Sequence, residues 1–403
     1  MRQLRGRYAA ERRFRAFGFI AVALSVAFLA FLLVNMASKG LGGFTRYEAS
    51  LQINFPQTDL FLDPAQLHGP DAAQTIAGAD LSGAISKAAT AAYGADAANI
   101  FSDAATTVVT NAIVKDPQIL TGSTTLWLPV ASKIDVAAKG DGETASEKLV
   151  SELNQKHALR RTFNSDFLEA SDATDPSAVG VWGALKGSFL TIIVTILLAF
   201  PIGVLAAVYL EEFAAKNRWT DFLEVSINNL AAVPSIIFGL LGLAVFLDFM
   251  NLPRSAPLVG GLTLALMTFP VIVIAGRNAI KTVPPSIRDA ALGVGASRMQ
   301  VTFHHVLPLA LPGILTGTII GVARALGETA PLLMIGMRAF VAAPPGGITD
   351  PATVLPVQIF LWSDEVDRGF VEKTSAAIIV LLLFMLVMNG LAIYLRNRFE
   401  RRW

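Results

Sequence analysis

RDAALGVGASRMQVTFHHVLPLALPG, residues 288–313, is the stretch on which the fold turns. Asp289, Ala290 and Ala291 are small and helix-compatible, Gly295 follows four residues later, and Leu307-Pro308 closes the segment. The pattern predicts a short helix, a glycine turn, and a second helix that ends before the proline. Small side chains on one face let such a hairpin sit in a groove of another protein with the backbones close together. Over 277–306 the basic residues Arg277, Lys281, Arg288 and Arg298 stand against a single acid, Asp289. On both sides of this stretch the chain turns apolar, and that flanking pattern sets the class.

Of the 403 residues, 53% are hydrophobic and only 16% charged. A soluble domain carries about 25% charged residues, so the chain reads as a membrane protein. A crossing helix needs about 20 mostly apolar residues, and six stretches qualify: 17–36, 188–210, 225–247, 255–276, 312–337 and 374–395. Pro201, Pro234 and Pro270 lie inside three of them and are tolerated where neighbouring helices re-satisfy the backbone. Five stretches hold no charge, and the sixth holds two, Arg324 and Glu328.

Lysine and arginine in short flanking segments set orientation. Six arginines occupy the first fifteen residues and four the last eight, and an even number of spans brings both ends and the 277–306 loop to one side. Both termini are therefore expected in the cytoplasm. A cleaved signal peptide is the rival reading of 17–36, but its apolar run exceeds the usual 7–15 residues and no clean small-residue cleavage site follows.

Residues 41–180 differ in kind, with nine Lys and Arg against seventeen Asp and Glu, a net of −8. The topology puts this acidic segment outside the cytoplasm. Residues 50–55 and 124–130 alternate like strands, while 81–93 and 147–159 look helical, which predicts a small α+β domain. It is either a soluble decoration or a docking surface for an external partner.

Several chemistries are excluded. There is no cysteine, hence no disulfide or thiolate metal site. Four scattered histidines (His68, His157, His304 and His305) do not make a zinc centre. No phosphate-binding P-loop occurs, so any ATP hydrolysis belongs to another chain. No catalytic residue, resident cofactor or nucleic-acid partner is expected.

The 289–308 stretch resembles the EAA loop of ABC importer permeases: three residues of the E-A-A type, then glycine, isoleucine and Leu-Pro at fixed spacings. Asp289-Ala290-Ala291, Gly295, His305 and Leu307-Pro308 fill those places, with Asp289 for Glu and His305 for Ile. Together with 187–214, 227–246 and 324–333, the loop makes residues 180–403 similar to the A-type permease family of Pst phosphate importers. The resemblance implies an all-α polytopic fold of six transmembrane helices, the first in 1–40 and five in the permease core (181–403), and a loop at 277–308 that couples to an ATPase. It also implies a second, C-type permease subunit and an ATPase dimer that binds ATP and magnesium. An extracytoplasmic phosphate-binding protein and surrounding membrane lipid complete the setting, a bacterial inner membrane. The 41–180 insertion between helices 1 and 2 departs from shorter members of that family, so its role is not carried over.

Arg324 lies at the midpoint of 312–337, where a charge costs at least ~2.5–3.5 kcal/mol on insertion scales. Glu328 is four residues on, so the two are expected to share one helix face that points into the bundle or a hydrated path. Gly321 and Gly327 leave room nearby. A polar pair used only as packing glue returns ~1–2 kcal/mol or less; a passing anion is the better reason, because a guanidinium offers a planar fork of donors for phosphate oxygens. Arg277 is a second candidate for the path, although topology alone expects a basic residue there. Asn228 and Asn229 either line a path or cap backbone. Glu211 and Glu212 are read as aqueous interface, and His304 and His305 as pH-sensitive or packing residues.

Three rivals remain. A sulfate or molybdate permease would carry an anion of nearly the same shape and charge. An ion-driven secondary anion transporter would show internal repeats with paired broken helices. A membrane sensor would explain 41–180 but not the loop or the mid-span arginine.

Overall fold

The computed structural model describes residues 2–399 apart from 59, 61, 63, 65–66, 68–75, 77, 141 and 339. Arg401 and Arg402, counted in the basic C-terminus, lie outside the described residues. The charged start of the chain and the first apolar stretch form one helix, α1 (Arg2–Gly43). Its apolar side chains between Phe14 and Val34 are exposed in the isolated chain, and only its last turns touch the bundle. There Gly40 lets it cross another helix closely: a Cβ would stand 2.6 Å from Ile379 Cδ1.

Beyond Phe44 the chain builds a three-stranded antiparallel sheet in the order β2-β1-β3, with β1 (Thr45–Asn54) between β2 (Ser123–Pro129) and β3 (Leu159–Phe163). Leu51 faces Leu126 and Tyr47 faces Arg161. Ala49, Leu51 and Ile53 are buried on one face of β1 while Gln52 and Asn54 stay exposed, the period-two pattern of a half-covered strand. The covering helices are α2 (Leu81–Tyr93) and α3 (Ala104–Lys115), through Ile85, Val109 and Ile113. Each such side chain contributes ~1.5–3 kcal/mol of burial. Asp80 caps α2 by accepting from Gly83 N at 2.8 Å, and that bond holds its carboxyl below the usual carboxylate range. The helix expected over 147–159 is α5 (Thr144–Gln155), which follows the short α4 (Ser132–Ala138). Residues from Leu159 belong to β3 instead, because β1 offers them a free edge to pair with.

A buried joint binds this sheet domain to the bundle. Lys139 Nζ reaches Asp135 at 2.6 Å, Glu372 at 2.7 Å and the carbonyls of Gly42 and Thr45 at 3.0 Å, which caps the end of α1. Lys373, also buried, donates to Gly43 O at 3.1 Å, and Ser132 donates to Asp367 at 3.0 Å.

The bundle comprises α6 (Trp182–Val208), α7 (Arg218–Ala231), α8 (Ser235–Gly242), α9 (Pro257–Lys281), α10 (Pro285–Gly293), α11 (Arg298–Leu326), α12 (Ala330–Met334), α13 (Leu355–Ser363) and α14 (Gly369–Phe399). Small residues bring α6 and α9 close: a Cβ on Gly261 would meet Val194 Cβ at 2.5 Å, and one on Gly203 would meet Ile272 Cγ2 at 2.7 Å. Among the described residues, five helices are long and apolar enough to cross a membrane, and a bent pair adds a sixth if its two helices count as one span.

Three expectations change here. The 225–247 stretch is not a straight span, because α7 and the segment from Ser235 meet at 101°. Pro234 has extended backbone (ψ 137°) and no N–H to give, so the helix stops ahead of it, whereas Pro201 and Pro270 stay inside α6 and α9. The helix after Gly295 does not end before Pro308. A widened π turn over Val301–Val306 accommodates the proline, and the helix continues as α11. Conversely, 312–337 is interrupted at 327–329, where Gly327 ends α11 and Pro331 brings no N–H to its carbonyl.

Candidate coupling hairpin and translocation site

At the end of the bundle away from the sheet domain, α10 and the first turns of α11 form a hairpin. Gly295 turns it with φ +88°, a left-handed conformation that side chains rarely adopt. Ser297 and Gln300 then restart the helix as a reciprocal capping box. Ala291, Val301 and Val306 are buried and hold the hairpin together. Asp289, Ala290 and Gly295 are exposed, beside Leu292, Val294 and Met299 at 46%, 87% and 59% exposure. His305, at the isoleucine position, is exposed, and Val306 next to it fills the interior. Leu307 and Pro308 are half-buried where the hairpin enters α11.

The hairpin rests on an ion-pair lattice. A π turn (Tyr209–Phe213) follows α6 and presents Glu211 and Glu212 to two arginines. Arg277 Nε donates to Glu211 at 2.5 Å, and Arg277 is also paired with Glu224 of α7 at 2.7 Å. Arg288 is bonded to both oxygens of Glu212, with its shortest contact 2.7 Å. Arg277 is thus 8% exposed and engaged by two carboxylates at the hairpin end. The structure does not bring it to Arg324. The lattice went unrecognised in sequence reading. Its signal was two adjacent acids directly after an apolar span, matched by Arg277 and Arg288 in the basic loop.

Arg324 occupies the last turn of α11 and Glu328 lies just past its end, so the two do not share a continuous helix. They still meet, with Nε donating to Oε1 at 3.4 Å. The Arg324 side chain is 52% exposed in the isolated chain and Glu328 18%. Arg396, near the end of α14, donates to Thr316 Oγ1 at 3.2 Å. Arg324 is eight residues beyond Thr316, which at 1.5 Å per residue is ~12 Å further into the bundle.

The two interrupted segments pack against each other. A Cβ on Gly239 of α8 would sit 2.6 Å from Pro331 Cα of α12. Asn229 is exposed near the end of α7, and its carbonyl accepts from Ala232 N across the bend. It shares no hydrogen bond with the Arg324–Glu328 pair among the described residues. No group of three or more His, Cys, Asp or Glu that could hold a metal occurs among them either.

Residues 199–402 match the family model described as "Binding-protein-dependent transport system inner membrane component", and residues 1–148 match a "Domain of unknown function (DUF3333)". The chain is similar to the probable ABC transporter permease protein YqgI of Bacillus subtilis (strain 168), at 31% identity over 54% of this chain and 79% of that protein. It is also similar to the phosphate transport system permease protein PstA of Yersinia pestis, at 30% identity over 56% and 75% of the two chains. A solved inward-facing conformation of the MetNI methionine ABC transporter is similar with a TM-score of 0.44 and 18% identity, covering 55% of this chain and 95% of that one.

Proposed function

Because the chain belongs to the family of binding-protein-dependent transport system inner membrane components, we propose that it is the A-type permease subunit of an ATP-driven inorganic phosphate importer. The observation that carries the reading is mechanical. The exposed hairpin at 289–308 runs without interruption into α11, and α11 ends at the Arg324–Glu328 break. A push on the hairpin is therefore delivered along one helix, ~39 Å from Arg298 to Arg324 at 1.5 Å per residue, to the Arg324–Glu328 pair.

In this reading a cytoplasmic ATPase dimer, which binds the ATP and magnesium, seats on Asp289, Ala290, Ala291, Gly295 and their neighbours. A C-type permease subunit covers the open side of the bundle, and an extracytoplasmic binding protein delivers phosphate. Both termini are cytoplasmic in the bacterial inner membrane, lipid surrounds the spans, and 41–180 stands outside. The relatives named as phosphate permeases support the substrate, and Arg324 supplies matching chemistry: a permanently charged fork able to grip two phosphate oxygens. Its long contact to Glu328 is easily exchanged for an anion. Glu328 thus neutralises the arginine between transport events and releases it when phosphate arrives. Asn229, exposed beside the bend, lines the same path, while Arg277 secures the hairpin end.

ATP-dependent uptake in proteoliposomes of the full complex tests this function. Phosphate accumulation that sulfate and molybdate fail to compete supports it. Preference for either rival anion, or uptake driven by an ion gradient without ATP, overturns it.

A further inference from the structure

The lattice under the hairpin has a property beyond docking. Pro284 and Pro285 follow α9 and bring no N–H to the carbonyls of Ile280 and Lys281, the last acceptors of that helix. Val283 N reaches Ile280 O at 3.2 Å, and Arg288 adds two donors: Nη2 to Ile280 O at 3.0 Å and Nη1 to Val283 O at 2.7 Å. The same guanidinium grips Glu212 through Nε at 3.1 Å and Nη2 at 2.7 Å. One planar group in the first turn of α10 thus joins three elements: the hairpin, the end of α9 and the end of α6. Both partners are largely withdrawn from solvent, with side-chain exposure of 23% and 12%. Arg288 is followed directly by the exposed Asp289-Ala290 face, so it lies between that face and the bundle.

Glu211 and Glu212 are consecutive in the π turn and diverge to different partners, Glu211 to Arg277 of α9 and Glu212 to Arg288 of α10. Besides this joint, the hairpin meets α9 through the Thr282–Pro284 linker and through an apolar cluster that joins Ile280 and Val283 to Ala291, Val301 and Val306, contacts that fix no direction as an ion pair does.

We infer that Arg288, held by Glu212, is the positioning residue that makes the hairpin move as one body with α6 and α9, so that ATPase closure is transmitted to those helices as well as along α11. The inference rests on the reading of the hairpin as the ATPase-docking element, and it adds a second line of transmission. A lysine keeps the charge but cannot reach a carboxylate and two carbonyls with one fixed fork.

The chain has no cysteine, so spin labels can be placed at Val294→Cys on the hairpin and Leu205→Cys on α6, which are 87% and 59% exposed. Double electron–electron resonance on the full complex, with and without ATP, reports whether the two positions move together. The unsubstituted joint should give one narrow distance distribution in each nucleotide state. Arg288→Lys and Glu212→Gln should broaden it and lower phosphate uptake per ATP hydrolysed at least tenfold. Narrow distributions and undiminished coupling in both single variants overturn the inference. Equal solvent accessibility of the Val294 label in the isolated permease and in the assembled complex would instead contradict the docking reading. A variant that does not assemble is replaced by Glu212→Asp, which keeps the charge but shortens the reach; unchanged widths there also count against the role.

Discussion

Replacing Arg324 with glutamine separates what the side chain does for the fold from what it does for an anion. Its contact to Glu328 is long, 3.4 Å, and the arginine is half-exposed in the isolated chain. An ion pair of that kind contributes ~0–1 kcal/mol, so Arg324→Gln should leave assembly and melting temperature nearly unchanged. Grip on a phosphate is another matter. Hydrogen bonds to charged groups contribute ~1.5–3 kcal/mol each, and a bidentate arginine makes two. Glutamine keeps one weaker donor group and no charge, so about 3 kcal/mol or more disappears, roughly 100-fold in transit through the site. Arg324→Lys restores the charge without the fork and should fall between the two. The assay is initial rates of ATP-dependent phosphate uptake, normalised to complex recovered by size exclusion. Uptake by Arg324→Gln within about threefold of the unsubstituted complex would refute the reasoning. So would a collapse of assembly, because the arginine would then be acting as structure.

Gly295→Val should weaken ATPase retention on purification, because a non-glycine residue at φ +88° costs ~1–2 kcal/mol, while open space around the position rules out a clash; Gly295→Asn should be tolerated, and equal retention by both would contradict this. Lys139→Met leaves Asp135 and Glu372 partly buried and unpaired, a cost of ~3–5 kcal/mol. Hydrogen exchange in residues 40–48 should accelerate, and unchanged protection would show the joint to be dispensable. Burial lifts the Asp172 carboxyl above its ordinary value of 3.8, against the opposing hydrogen bond from Trp362. The folded chain then holds that proton to higher pH than the unfolded one, so this group's contribution falls as pH rises from 3.8 through the raised value. Asp172→Asn should flatten that part of the melting-temperature profile, and an unaltered slope would dismiss the assignment.

The membrane class was legible because apolar runs of twenty residues have few alternatives. The hairpin was legible because Gly295 and the small residues before it leave a local signature. Helix interruptions were harder to read. Pro201, Pro234 and Pro270 look alike in a hydropathy window. At Pro234 the two flanking helices meet at 101°, whereas Pro201 and Pro270 stay inside α6 and α9. The Arg324–Glu328 spacing read as one helix face, yet Gly327 and Pro331 end the helix between them. Their meeting survives because a side chain spans the break. The strand Leu159–Phe163 carries two arginines and no alternation, so its pairing depends on the edge of β1, which no local pattern reveals. Likewise Glu211 and Glu212 acquire their partners 66 and 76 residues away.

Accessibility beside Arg324 tests the central claim most directly. Ile320 lies one turn before Arg324 on the same face of α11 and is 62% exposed in the isolated chain. In an otherwise cysteine-free chain, Ile320→Cys can be challenged with a charged, membrane-impermeant thiol reagent from either side of sealed proteoliposomes holding the full complex. The account predicts reaction from one compartment without ATP and from the other when the ATPase is trapped closed, with phosphate slowing both. A thiol that stays unmodified from both sides in every nucleotide state would contradict it.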